Sequence, residues 1–187
     1  MTRMTRILAF AGSYRGGSLN RKLLANAVEA LRGRAEIDLL DLRDVAMPIY
    51  DGDLEARDGL PDGAKRLRER IAAANALLIA TPEYNNSIPG GLKNAVDWVS
   101  RPPDQPFKGK CVLLLSASPG QVGGVRAVLA LRQALTSLMA VVIPSTVSVG
   151  HADQAFDDAG ALKDARQRAG VERAGAELLR FAAALKG

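Results

Sequence analysis

The chain has only one cysteine and one histidine, the side chains that supply thiolate and imidazole to metals and to catalysis. Cys111 has no partner for an internal disulfide and no companion at ligand spacing, which excludes a disulfide framework and a structural zinc site. His151 has no second histidine and no spaced cysteine or aspartate, so a loop residue is expected there rather than a metal ligand or a nucleophile's base. Long apolar runs are missing too. The stretch after the basic MTRMTR opening is only five residues long before Gly12 and Ser13 interrupt it, so neither a membrane segment nor a signal peptide is expected. With no oxidising-compartment signature, the cytoplasm is the expected location.

Aromatic residues make up 4% of the chain, and no internal repeat or low-complexity segment is visible. The net charge of +5 comes from basic residues interleaved with acids, as in Lys65, Arg66, Arg68, Glu69 and Arg70. That pattern fits a solvated helix face and not a nucleic-acid stripe, though the field it creates favours anionic ligands such as nucleotides. At 187 residues and 48% hydrophobic, the chain is expected to form one domain with a full core.

The most informative stretch is Arg6 to Leu24. Ile7, Leu8, Ala9, Phe10 and Ala11 form an almost unbroken apolar run, as a strand covered on both faces requires, and a parallel sheet follows from it. After the Gly12-Ser13-Tyr14-Arg15-Gly16-Gly17-Ser18 loop, Leu19, Leu23, Ala27, Val28 and Leu31 recur on one helical face, with Ser18 placed to cap the helix. A helix start directs free N–H groups and the positive end of its dipole into the loop, where a phosphate fits. The loop lacks the Lys and Ser/Thr of a P-loop, and Tyr14 and Arg15 stand where a dinucleotide fingerprint needs glycine. What it does supply are the side-chain donors Ser13, Arg15, Ser18 and Asn20, suited to one terminal phosphomonoester such as that of FMN. The plain alternative is an ordinary serine- and glycine-containing turn.

Further strands are expected at Ile37 to Leu42, Ala76 to Ala80, Cys111 to Leu115, and Val141 to Val149 with a break at Pro144. Helices are expected from Asp62 or Gly63 to Asn75, after Gly90-Gly91, over Val125 to Ala140 and over Ala169 to Leu185; Arg43 to Pro61 reads as a long surface connection. Two more polar loops leave strand ends. Pro82, Glu83, Tyr84, Asn85, Asn86 and Ser87 follow the third strand, and Ser116, Ala117 and Ser118 follow the fourth. Alternating strands and helices, with ligand-type loops after strands one, three and four, predict a flavodoxin-like doubly wound α/β sheet of order 2-1-3-4-5. Trp98 is expected to pack a helix and Cys111 to be an inert core thiol.

Three motifs in this order, GSYRGGSLN (Gly12 to Asn20), PEYNNSIPGGLKNAVDW (Pro82 to Trp98) and SASPGQVGGVR (Ser116 to Arg126), resemble those of the NAD(P)H-dependent FMN reductases, which include bacterial quinone and chromate reductases. The resemblance spans nearly the whole chain. It implies that Ser13, Arg15, Ser18 and Asn20 bind the FMN phosphate, with backbone N–H groups of Ser18 and Leu19 assisting. Pro82, Glu83, Tyr84 and Asn85 would line the isoalloxazine ring, and Ser116, Ala117 and Ser118 would approach its other side, Ala117 through its backbone.

The resemblance also implies that no catalytic side chain and no metal are needed, since flavin N5 carries hydride from NAD(P)H to a small-molecule acceptor such as a quinone, flavin, azo compound or chromate. Backbone donors near N1 and O2 would stabilise the reduced flavin. A flavodoxin-type electron carrier and a nucleotide or phosphate sensor are the competing functions. A homodimer or homotetramer is expected, because Val125, Val128, Leu129, Leu131, Leu135, Leu138 and Met139 spread apolar surface beyond one stripe of their helix. Leu131 is placed in that interface.

Overall fold

Residues with alternating side-chain directions in a buried strand must enter two different cores, and β1 (Arg6–Ala11) does this. Ile7, Ala9 and Ala11 join one apolar cluster, while Leu8 and Phe10 join another on the opposite face. The computed structural model describes residues 4–185, so the first three residues of the basic opening stretch lie outside it.

The chain continues through α1 (Leu19–Ala30), β2 (Glu36–Asp41), α2 (Gly52–Asp58), α3 (Asp62–Ala73), β3 (Ala76–Ala80) and α4 (Gly90–Val99). It then forms β4 (Cys111–Ala117), α5 (Val125–Ser137), β5 (Val141–Val149), α6 (Ala152–Ala155) and α7 (Ala165–Ala184). The strands pair in parallel in the expected order β2-β1-β3-β4-β5. Helices α1 and α7 supply the cluster on one face, and α3, α4 and α5 supply the other. The ladder extends past β1 and β3, because Gly12 N–H donates to Ala80 O and Thr81 N–H to Leu115 O, both at 2.8 Å. These two bonds align the carboxyl ends of β1, β3 and β4 along one rim.

Several elements differ from expectation for identifiable reasons. Strand β5 runs through Pro144 because a register shift sets Ile143, Pro144 and Ser145 against Leu113 alone, so the missing proline donor is not needed. Arg132 of α5 donates to the carbonyls of Val142 (2.9 Å) and Ile143 (2.8 Å) at that irregularity. Helix α5 stops at Ser137, since Met139 adopts φ 64° and Ala140 N–H reaches back to Leu135 O at 3.0 Å. Helix α7 starts at Ala165 because Asp164 caps it, accepting from Gln167 N–H at 2.9 Å. Strand β4 extends to Ala117, so Ser116 and Ala117 belong to the strand and not to the loop beyond it.

The Arg43 to Pro61 connection contains the end of a short 3-10 turn (Leu42–Val45) and α2, and it is fastened to α4. Asn94 Nδ2 and Trp98 Nε1 each donate to Pro48 O at 2.8 Å, and Tyr50 N–H donates to Asn94 Oδ1 at 2.7 Å. Trp98 is fully buried and meets Tyr50 edge-on, as its expected packing role requires. Cys111 is buried, and desolvation pushes its thiol pKa up. The placement of Leu131 in an interface is overturned. With Val128 and Leu135 it is buried against the sheet, because these residues share the face of α5 that covers β4 and β5, and only Leu129 of that helix's large apolar residues is well exposed.

Candidate active site

The loop after β1 holds its donors open. Among the described residues, the N–H groups of Tyr14, Gly16, Gly17 and Ser18 have no acceptor within the chain, and those of Leu19 and Asn20 lie in the unpaired first turn of α1. Ser18 has extended backbone geometry, and its Oγ accepts from Arg21 N–H at 3.4 Å, so it is the N-cap that the sequence pattern indicated. Ser13 Oγ accepts from Arg15 N–H at 3.4 Å, leaving its own proton free to donate. The Arg15 side chain is exposed and makes no hydrogen bond or ion pair among the described residues. Unpartnered N–H groups, two hydroxyls and a free guanidinium at a helix start are the donor types an anion site uses.

Beyond β3 the chain folds back on itself. Tyr84 and Ser87 exchange backbone hydrogen bonds at 2.9 and 3.0 Å, with Asn85 (φ 49°) and Asn86 (φ 63°) as the two left-handed turn residues between them. Asparagine tolerates that conformation, and the pair forms a tight hairpin turn of the primed type. Asn85 therefore stands exposed in the turn. Glu83 points its carboxylate at the start of α5, accepting from Arg126 N–H at 3.1 Å and from its guanidinium at 3.2 Å. A carboxylate at a helix N-terminus is stabilising, and here it ties the β3 loop to α5.

The end of β4 is committed to internal bonds. Asn20 Nδ2 donates to Ala117 O at 2.8 Å, and Asn20 Oδ1 accepts from Ala117 N–H at 2.9 Å. Ala117 N–H is thus not free for a ligand, and what Asn20 can offer the loop is its backbone N–H. The Ser116 hydroxyl donates to Thr81 O at 2.6 Å and is fully buried, because the strand alternation turns it into the sheet's other face. A Cβ on Gly124, at φ 82°, would collide with Ser116 Oγ, so glycine is required where the chain enters α5. Ser118 N–H is taken by Val149 O at 3.1 Å.

The three loops border a cavity of about 440 Å³, within the usual range for small-molecule sites. All the expected residues except Asn85 and Ser116 line it: Ser13, Arg15, Ser18, Leu19 and Asn20 from the first loop, Pro82, Glu83 and Tyr84 from the second, Ala117 and Ser118 from the third. Gly17 and Pro119 also line it and lie inside the quoted motifs; Asp153 of α6 does as well, with no motif to announce it. A second cavity of about 530 Å³ lies on another side of α1, toward β2, and shares none of these lining residues.

Charges around the first loop are fixed by neighbours. Hydrogen bonds from Arg43 and then Arg21 hold the Asp41 carboxyl far below the usual carboxylate range. Burial, and then the Asp41 charge, push the Tyr14 phenol up. The Tyr14 ring lies against Gly91 at the start of α4, where any Cβ would run into it.

This phosphate-type loop, facing a cavity closed by the β3 and β4 loops, fits a flavin mononucleotide: donors for one phosphate, then a space bordered by Pro82, Tyr84 and Ala117. Comparison with known proteins agrees. An NAD(P)H-dependent FMN reductase of Pseudomonas aeruginosa is 43% identical over 164 residues, covering 87% of each chain. A quinone reductase of Escherichia coli is 40% identical over 144 residues, 76% of each. The solved structure of FerB, a flavoenzyme NAD(P)H:(acceptor) oxidoreductase from Paracoccus denitrificans, superposes with a TM-score of 0.84 at 32% identity, covering 96% of this chain and 98% of that one. The sequence model of the NADPH-dependent FMN reductases matches residues 5–154, and the chain belongs to that family.

Proposed function

We propose that the protein binds FMN in the 440 Å³ cavity and uses it as an NAD(P)H-dependent oxidoreductase acting on small-molecule acceptors. The observation that carries this reading is the set of unpartnered N–H groups of Tyr14, Gly16, Gly17 and Ser18, in the loop that borders the cavity at the start of α1. Ser13, Ser18 and Arg15 would hold the phosphate, while the N–H groups of Leu19 and Asn20 add the dipole end of α1. Pro82, Tyr84 and Ala117 would border the ring. Bound FMN would supply the redox chemistry, hydride acceptance from NAD(P)H and electron delivery to the acceptor.

The protein's own part is to bind, orient and exclude water. Asn20 fixes the distance between the first and third loops through Ala117, and Glu83 fixes the second loop to α5. Quinones, flavins, azo compounds and metal oxyanions such as chromate are the acceptor classes to assay. We also read the protein as cytoplasmic, consistent with a lone buried thiol, and as a homodimer or homotetramer associating through the exposed face of α5 around Leu129. The cofactor reading is tested by releasing flavin from purified protein and separating it by chromatography. FMN is the expected product, and FAD alone would contradict a site built for one phosphomonoester.

A further inference from the structure

Arg21 stands in the first turn of α1 with all three guanidinium nitrogens engaged. Nη1 donates to Asp41 Oδ2 at 2.7 Å and Nη2 to Asp41 Oδ1 at 2.8 Å, a two-pronged pair across to the end of β2. The remaining donors, Nη2 at 3.2 Å and Nε at 3.3 Å, both reach the carbonyl oxygen of Ser13. Asp41 is in turn immobilised by Arg43, through its backbone N–H at 3.0 Å and its side chain. Arg21 lines the cavity beside β2 and not the 440 Å³ one, so the Ser13 carbonyl is held on the β2 side of the loop.

A trans peptide is planar, and its C=O and N–H point in opposite directions. Fixing Ser13 O on the β2 side therefore fixes Tyr14 N–H on the other, and that N–H has no acceptor among the described residues. Building on the FMN reading, we propose that Arg21, anchored by Asp41, is a positioning residue that holds the Ser13–Tyr14 peptide so that Tyr14 N–H is presented to the flavin phosphate. Arg21 itself does not touch the ligand. The fork geometry of guanidinium is required, because one lysine ammonium has neither the planar pair of donors for Asp41 nor a third and fourth for Ser13 O.

This arrangement gives an unusual sign to a charge substitution. Asp41 is a fixed negative charge near a dianion, so by through-space electrostatics alone Asp41→Asn would tighten FMN binding. Under the clamp it weakens binding, because Arg21 loses its anchor. Arg21→Lys keeps the charge and would be silent in a purely electrostatic account.

The test is flavin fluorescence titration of wild type, Arg21→Lys, Asp41→Asn and the double variant, with FMN and with riboflavin, which lacks the phosphate. The expected result is an FMN Kd raised about tenfold or more in each single variant, the size of one charge-assisted hydrogen bond. Riboflavin Kd should stay within about twofold, and the double variant should be no weaker than the weaker single one, since both changes break one unit. An unchanged FMN Kd in Arg21→Lys overturns the clamp, as does tighter FMN binding in Asp41→Asn. Equal losses for FMN and riboflavin also overturn it, since they indicate general loosening. Asp41 also caps the turn at Leu42–Val45, so if Asp41→Asn does not fold, Arg21→Lys decides alone. Wild type that binds no FMN overturns the cofactor reading and the clamp together, and is recognised before any variant is compared.

Discussion

The side-chain amide of Asn20 is bound at both ends to the backbone of Ala117, across the junction of the first and third loops. Both residues are buried, at 2% and 3% exposure. Asn20→Ala leaves a buried N–H and a buried C=O without partners, costing about 2 to 4 kcal/mol of stability. Asn20→Asp keeps the acceptor but sets a carboxylate oxygen against Ala117 O, and is expected to cost at least as much. Urea unfolding measures both; a midpoint for Asn20→Ala equal to wild type would show that the bond pair does not stabilise the loop junction.

Arg15 offers the converse case, a guanidinium with no protein partner among the described residues, at the mouth of the anion site. Removing it should leave stability unchanged and weaken FMN by about 1.5 to 3 kcal/mol, roughly ten- to hundredfold in Kd. Titration of Arg15→Ala with FMN checks this. An unaltered affinity would remove Arg15 from the phosphate site.

Acid should destabilise the fold through β2. Asp38 accepts from the side chains of Arg70 and Arg6, and the Arg70 hydrogen bond is the main cause of its lowered pKa. A carboxyl depressed in the folded state contributes stability above its unfolded pKa, about 4, and loses that contribution as pH falls through the folded value. Urea midpoints should therefore drop as pH is lowered below about 4. Asp38→Asn should be less stable than wild type at pH 7, with the gap closing in acid. A gap of constant size from pH 7 to pH 3 would remove Asp38 from the account.

Leu131 and Leu129 separate core from surface on α5. Leu131 is fully buried and Leu129 is 58% exposed. Leu131→Glu should unfold the protein, since an uncompensated charge would enter the core beneath β4 and β5. Leu129→Glu should leave the fold intact and lower the solution mass measured by light scattering. A monomeric wild type would remove the oligomer, and an unaffected oligomer in Leu129→Glu would move the interface away from that helix face.

The sheet was legible where its strands are covered on both faces, because Ile7 to Ala11 and Ala76 to Ala80 are apolar for reasons local to the segment. The continuity of β5 through Pro144 was not, since it depends on the pairing with Leu113 and on Arg132, which only the folded chain brings together. The start of α7 was hidden by a polar first turn without apolar periodicity. In the candidate site, the donor-rich loop after β1 is legible because backbone N–H groups and short polar side chains are set by the local sequence. The sequence pattern of Asn20, Glu83 and Ser116 suggests ligand contacts, and the folded chain gives their polar side-chain groups structural partners 97, 43 and 35 positions away. Asp153 enters the cavity from a segment whose only signal is that it follows β5 at the ligand rim.

Anaerobic addition of NADPH to FMN-loaded protein is the most direct test of the central claim. The account predicts that the absorbance of the bound, oxidised flavin bleaches within the turnover time and returns when a quinone is added. Flavin that stays bound and oxidised, or reduces far more slowly than steady-state turnover, would mark an electron carrier. Protein that takes up no FMN at all would contradict the site itself.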